Sequence, residues 1–282
     1  MRFGVTLFLT DRTINPVEFA IAVEERGFSS VWFPEHTHIP VSRDTPPPTG
    51  DDELADEYRR TLDPYVTLAA CAAVTRRIRL GTGVALVAQH HPVVLAKQVA
   101  TLDLLSNGRV SLGVGYGWNR EEMATHLIPY ADRRAIAREH VLAMQQIWAN
   151  DEASFQGEHV HLEPSWQWPK PVQKTAGVVG VPVLVGGGAG PVLFSHIAEY
   201  GHGWIPIGGA GLGTAVPQLR SRVAETGRNP DTIEIVPFGV MADPGKFAYY
   251  ESLGVTECVL RVRAGTRDTV LSDLDRLAAL TT

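Results

Sequence analysis

The chain has 282 residues, enough for one (β/α)8 barrel, which runs to roughly 250 residues before insertions. Hydrophobic residues make up 44% and charged residues 20%, the balance of a folded globular chain rather than a disordered one. A formal net charge of -6 offers no global field to nucleic acid or to an anionic membrane surface, so an anionic ligand has to be held by a local cluster.

Met1–Leu9 is apolar but too short to cross a bilayer, and it lacks a small-residue cleavage site. It reads as a first strand over 2–9, and the protein is expected to be cytoplasmic with no membrane partner. Asn15-Pro16 starts a helix that Gly27 stops, and Ser30–Phe33 is the second strand. A polar, proline-rich loop follows over about 35–62, with Pro46-Pro47-Pro48 and the acidic stretch Asp51-Asp52-Glu53. Loops of that length in a compact domain usually carry function. Next come a helix from Pro64 to about Thr75, a third strand over 78–84, a helix over 92–105 and a fourth strand over 110–115. One helical region then covers about 119–150, and a segment with Trp166, Trp168, Pro169 and Pro171 extends it into an insertion between strands four and five. The last four strands fall at 181–185, near 204–207, at 233–240 and at 257–262, and a helix over 267–280 closes the chain. Eight repeats favour a single (β/α)8 TIM barrel over 1–282, with a doubly wound sheet as the alternative. Cys71 and Cys258 each sit in an apolar run, as free thiols in a reducing compartment do.

In a barrel, chemistry collects where strands end and loops begin. Glu35-His36-Thr37-His38 stands there after the second strand. Histidine titrates near neutrality and can move a proton, and a neighbouring carboxylate can orient it, so His36 and Glu35 are the candidate catalytic pair. No third or fourth ligand lies near His36 and His38, so no metal is expected. Gly83-Val84 ends the third strand, where glycines either pack on a helix or clear a face for a flat ligand. His90 and His91 fall on the same end of the barrel, one of them able to cap the next helix. Gly115-Tyr116-Gly117-Trp118 follows the fourth strand as backbone cleared for a planar ring, with Asn119 capping the next helix. Gly186-Gly187-Gly188 precedes a helix, where bare amides make an anion site without a cationic side chain. His159 and His161 alternate as a hairpin's residues do, and Arg133 and Arg134 begin the long helix as surface charge.

Together Ser30–His36, Leu80–Val84, Ala96–Asp103, Ser106–Arg109, Gly113–Asn119, Arg134–Trp148 and Val183–Gly188 resemble the luciferase-like monooxygenase superfamily over nearly the whole chain. Glu35–Arg43 and Pro164–Pro171 are similar to an actinobacterial group of probable coenzyme F420-dependent oxidoreductases. The resemblance implies a cofactor ring across the mouth of the barrel, with His36 near it, Gly83 and Val84 beneath it and Gly115 to Trp118 beside it. The cofactor phosphate would lie at Gly187 and Gly188, with Arg133, Arg134 or Lys170 as cations for an anionic tail. It further implies a cis peptide at Gly83–Val84, a homodimer, and hydride transfer between F420 and a small organic molecule. Relatives that oxidise sugar phosphates carry a glutamate after the fourth-strand glycines, where Tyr116 and Trp118 stand here, so that substrate class is not implied. Two other readings use the same barrel: a monooxygenase with reduced flavin mononucleotide (FMN) and oxygen, and a flavin-binding protein without turnover.

Overall fold

The computed structural model describes residues 1–48, 50–51 and 53–281; Thr49, Thr282 and Asp52 of the acidic stretch lie outside the described residues. The chain opens with β1 (Arg2–Thr6), α1 (Pro16–Glu25), β2 (Ser30–Phe33), α2 (Pro64–Val74), β3 (Arg79–Thr82), α3 (Pro92–Ser106) and β4 (Val110–Val114). Local chemistry sets the helix starts. The Asn15 side chain accepts from the Val17 amide at 2.9 Å with Pro16 in the first helical position, and Asp63 caps α2 through the Val66 amide at 2.8 Å ahead of Pro64. Gly27 takes φ +80°, the left-handed conformation that turns the chain out of α1.

The single helical region expected over about 119–150 is two helices, α4 (Arg120–Thr125) and α5 (Arg133–Ala149). The break is local: Leu127 adopts φ +60°, and Pro129 has no amide hydrogen with which to continue a helix. After α5 come two antiparallel pairs, β5 (Glu152–Gln156) with β6 (His161–Trp166) and β7 (Lys174–Thr175) with β8 (Val178–Val179). The chain then continues through β9 (Val183–Gly186), α6 (Pro191–Tyr200), β10 (Gly203–Ile205), α7 (Leu212–Ala224), β11 (Glu234–Ile235), β12 (Phe238–Val240), α8 (Pro244–Ser252), β13 (Glu257–Arg261) and α9 (Arg267–Thr281). The strand expected at 233–240 is thus split at Val236-Pro237, where proline cannot donate to a ladder. The first strand stops at Thr6 rather than at residue 9.

Among the described residues the parallel sheet runs β11-β10-β9-β4-β3-β2-β1-β13-β12. Its two ends belong to one segment of chain. The Val236 amide donates to Trp204 O and the Val259 amide donates to Pro237 O, each at 2.9 Å, so the sheet curls until this segment meets strands from both directions. Trp32, Leu184, Ile205, Val236, Phe238 and Val259 pack together as a separate apolar cluster built from the strands. A larger cluster joins strand residues such as Val31, Leu80 and Leu112 to helix residues such as Phe19, Leu95 and Ile197. Burying each of these large side chains contributes about 1.5–3 kcal/mol.

Residues at the starts of the strands form a polar network. Arg79 bridges Glu234 at 2.9 Å and Glu257 at 3.2 Å and donates to Ser111 Oγ at 2.7 Å, while Ser30 Oγ donates to Glu257 at 2.5 Å. With that edge tied together, the ends of the strands are left for a ligand. Cys71 and Cys258 are buried free thiols, and burial pushes both up to about 12, which keeps them unreactive. Among the described residues no helix is long and apolar enough to cross a membrane.

Candidate functional site

A cavity of about 590 Å³ opens where the strands end. Glu35, His36, Gly83, Val84, Gly115, Tyr116, Gly117, Trp118, Gly186 and Gly187 all line it, whereas Gly188 is not part of its wall.

The floor is shaped by missing side chains. The Gly83–Val84 peptide is cis, as the family resemblance implies. A β-carbon at Gly115 would stand 2.3 Å from Val84 Cγ2, and one at Gly186 would stand 2.8 Å from Val84 Cγ1, so two bare strands close on the Val84 side chain. A β-carbon at Gly83 would stand 2.3 Å from Phe238 Cζ. Gly117 turns the chain with φ +75°, a conformation that favours glycine, and lies against the end of the Met123 side chain.

Glu35 and His36 go separate ways, because neighbours on an extended segment face opposite sides. Glu35 is buried and spends both carboxylate oxygens: Oε2 accepts from the Leu86 amide at 2.6 Å and Oε1 from His90 Nε2 at 2.7 Å. It ties the end of β2 to the segment after β3 and is not paired with His36. Burial opposes charge on His90, but the hydrogen bond to Glu35 and the nearby carboxylates of Glu35 and Asp63 outweigh it and raise its pKa.

His36 meets a residue that sequence reasoning missed. Its Nδ1 donates to Glu122 Oε2 at 2.9 Å, with the two side chains 7% and 1% exposed. That bond leaves Nε2 as the nitrogen without a protein partner among the described residues. Glu122 stands in the first turn of α4, and Asn119 caps that helix by accepting from the Glu122 amide at 3.4 Å. Asn119-x-x-Glu122 reads in sequence as a capping box, in which the carboxylate serves the helix's own amides. Here the carboxylate crosses to His36 instead. His91 precedes α3 without a side-chain cap, and the His159–His161 turn is held by Glu139, which accepts from the amides of 158, 159 and 160.

The anion end needs two corrections. The Gly187 amide donates to Ile205 O at 3.2 Å and its carbonyl accepts from Trp204 Nε1 at 2.9 Å, so its backbone belongs to the sheet. In the loop before α6 the amides of Gly188, Ala189 and Gly190 have no protein acceptor among the described residues, and α6 starts with no side-chain cap. Lys170 donates to the carbonyls of Ile147 and Asn150 at the C-terminal end of α5, outside the cavity wall. Arg133 and Arg134 do line the cavity, on the first turn of α5, where positive charge opposes the helix dipole. Arg133 stacks on Tyr130 with its guanidinium carbon 3.6 Å from the ring centre, and Arg134 lies over Tyr116 at 5.6 Å. Neither has a carboxylate partner among the described residues; Arg133 donates through Nη1 to Tyr130 O at 2.6 Å, while its Nε is buried without an acceptor. The cleared floor, the bare amides and the unpaired guanidinium groups together fit a flat ring that carries an anionic arm.

The long loop after β2 folds over the cavity and contributes Pro48, Glu57 and Tyr58 to its wall. It is held down by the Asp44 amide donating to Glu121 at 2.9 Å, by Arg60 with Asp11 at 3.0 Å and by Arg261 with Glu57 at 3.2 Å. Tyr58 carries no periodic signal, since it lies in a short 3-10 turn over Asp56–Arg60.

The sequence profile of the luciferase-like monooxygenase family matches residues 6–242. An uncharacterized protein of Mycobacterium tuberculosis H37Rv is 44% identical over 282 residues, covering 99% of this chain and 98% of the relative. An F420-dependent glucose-6-phosphate dehydrogenase of Amycolatopsis mediterranei is 30% identical over 213 residues, which is 74% of this chain and 58% of that enzyme. Among solved structures, the monooxygenase RslO1 from Streptomyces bottropensis has a TM-score of 0.76 at 22% identity, covering 99% of this chain and 97% of that one. Profile, relatives and fold agree, and this chain belongs to the luciferase-like monooxygenase family.

Proposed function

We propose that this chain is a single (β/α)8-barrel oxidoreductase that transfers a hydride between coenzyme F420 and a small organic substrate. The observation that carries the reading is His36, held through Nδ1 by Glu122 with Nε2 free, in a cavity floored by Val84 between Gly115 and Gly186. A relative 30% identical to this chain is named F420-dependent, which supports the choice of cofactor. When bound, the deazaflavin supplies a ring carbon that accepts or donates the hydride.

The chain's own residues do the rest. The Nδ1–Glu122 bond sets the tautomer and the tilt of the imidazole, so that Nε2 takes up or returns the substrate's proton. Gly115 and Gly186 keep Val84 in place, and the cavity wall is largely apolar, which limits water around the reacting atoms. The free amides of Gly188, Ala189 and Gly190 and the unpaired Arg133 and Arg134 hold the anionic groups of the cofactor.

Equilibrium binding of F420 and of FMN to the purified protein, measured side by side, tests the reading. F420 is expected to bind more tightly. Tight FMN binding with no detectable affinity for F420 would overturn it in favour of a reduced-flavin, oxygen-dependent monooxygenase.

A further inference from the structure

Three aromatic groups from distant parts of the chain meet on the cavity wall. Tyr58 comes from the loop after β2, Trp118 from the turn after β4, and His36 from the end of β2. The Tyr58 and Trp118 rings are perpendicular, at 89° with centroids 6.0 Å apart. His36 lies 5.8 Å from Trp118 in a second edge-to-face contact and 5.4 Å from Tyr58. Phe8 backs the group 4.9 Å from Tyr58. The three mutual contacts make a corner of rings that includes the His36 imidazole.

The charge at this corner is already balanced. Arg261 also lines the cavity, but it pairs at 3.2 Å with Glu57, the neighbour of Tyr58. The unpaired Arg133 and Arg134 contact Tyr130 and Tyr116 and touch none of these rings. A phosphorylated substrate reaching His36 would therefore find no free cation among these groups, whereas a flat ring would extend the edge-to-face packing.

We propose that the substrate is an uncharged aryl carbinol, or the matching aryl ketone in reverse, whose ring is received by Tyr58 and Trp118. The assignment rests on the reading of this cavity as a hydride-transfer site. In the oxidising direction the carbinol C–H bond breaks and its electron pair leaves as hydride to the deazaflavin, which is reduced. The O–H proton passes to His36 Nε2, and the C=O bond of the ketone forms.

Calorimetric titration of the full chain, with and without F420, tests this using 1-phenylethanol, 1-cyclohexylethanol and glucose 6-phosphate as probes. The aryl alcohol should bind about three- to tenfold more tightly than its cyclohexyl counterpart, and the sugar phosphate should bind more weakly than either. Tyr58→Ala should weaken the aryl alcohol about tenfold and erase its advantage, while Tyr58→Phe retains both, with circular dichroism reporting that each variant is folded. Equal binding of the two alcohols, tighter binding of glucose 6-phosphate, or an unchanged affinity in Tyr58→Ala would overturn the proposal. Failure of the cofactor reading shows separately, as absence of F420 binding in the parallel titration.

Discussion

His36 Nδ1 stands 2.9 Å from Glu122 Oε2, a contact between residues 86 positions apart that joins the end of β2 to the first turn of α4. Both side chains are nearly inaccessible, so the bond is protected from competing water and holds the imidazole in one orientation. Glu122→Gln keeps the shape but removes the charge and lets the side chain present an amide in place of the carboxylate. Turnover should fall about tenfold or more, with the F420 dissociation constant within about twofold of wild type, as befits a positioning residue. Parallel steady-state and binding measurements check the split; a loss confined to cofactor affinity would mean that Glu122 shapes the pocket instead.

His36→Ala should reduce turnover by roughly 10²–10⁴ while leaving cofactor affinity nearly intact, because the groups assigned to the cofactor's anion lie elsewhere. Near-wild-type turnover in a variant that binds F420 normally would reduce His36 to a wall residue.

Gly115→Ala brings a methyl group to 2.3 Å from Val84 Cγ2, a position that the packed strands cannot yield easily. Overpacking of this kind costs about 1–3 kcal/mol, and F420 affinity should fall with it as the floor shifts. Val84→Ala in the same chain removes the clashing methyl, so the double variant should recover part of the lost affinity. Urea unfolding and F420 titration of the three variants check this, and additive losses would show that Val84 is not the clashing partner.

His202 gives stability a dependence on acid. Its Nδ1 accepts from the Val183 amide at 3.2 Å, and burial, followed by the charge of Arg228, pushes its pKa from 6.5 down to about 4. The unfolded chain therefore takes up the proton first, so this contribution is intact above about 6.5 and is lost as pH falls toward 4. Between pH 7 and pH 5 the loss should be about 2 kcal/mol. His90 acts in the opposite direction: its pKa is raised, so its contribution is full below 6.5 and fades as pH climbs through the raised value. Urea melts at pH 5, 6, 7 and 8 should show the acid limb flattened in His202→Gln and preserved in His90→Gln.

Arg133→Gln and Arg134→Gln should each weaken F420 binding and make it less sensitive to salt, since a guanidinium without a carboxylate partner attracts an anion through a field that ions screen. Titrations at low and high ionic strength check this. A variant with unchanged affinity and an unchanged salt slope would remove that arginine from the anion site.

The features that sequence alone determined are those decided within a few residues. Asn15-Pro16, Asp63-Pro64 and Asn119 start helices because a cap and its amide are two or three positions apart. The gathering of Gly83, Gly115 and Gly186 at one edge follows from parallel strands entered in the same direction, which the strand–helix repeat already encodes. The curling of the sheet decided the rest. Asn119-x-x-Glu122 carries the same local signal whether the carboxylate caps α4 or crosses to His36, and only the packing of α4 beside the end of β2 selects the second. Arg133 and Lys170 look alike along the chain, yet one ends in the cavity wall and the other on the carbonyls that finish α5. Glu35 and His36 are adjacent, and an extended backbone turns one toward His90 and the other toward Glu122. A charge's partner depends on which surfaces the folded chain brings within about 3 Å, and no periodicity along the sequence records that.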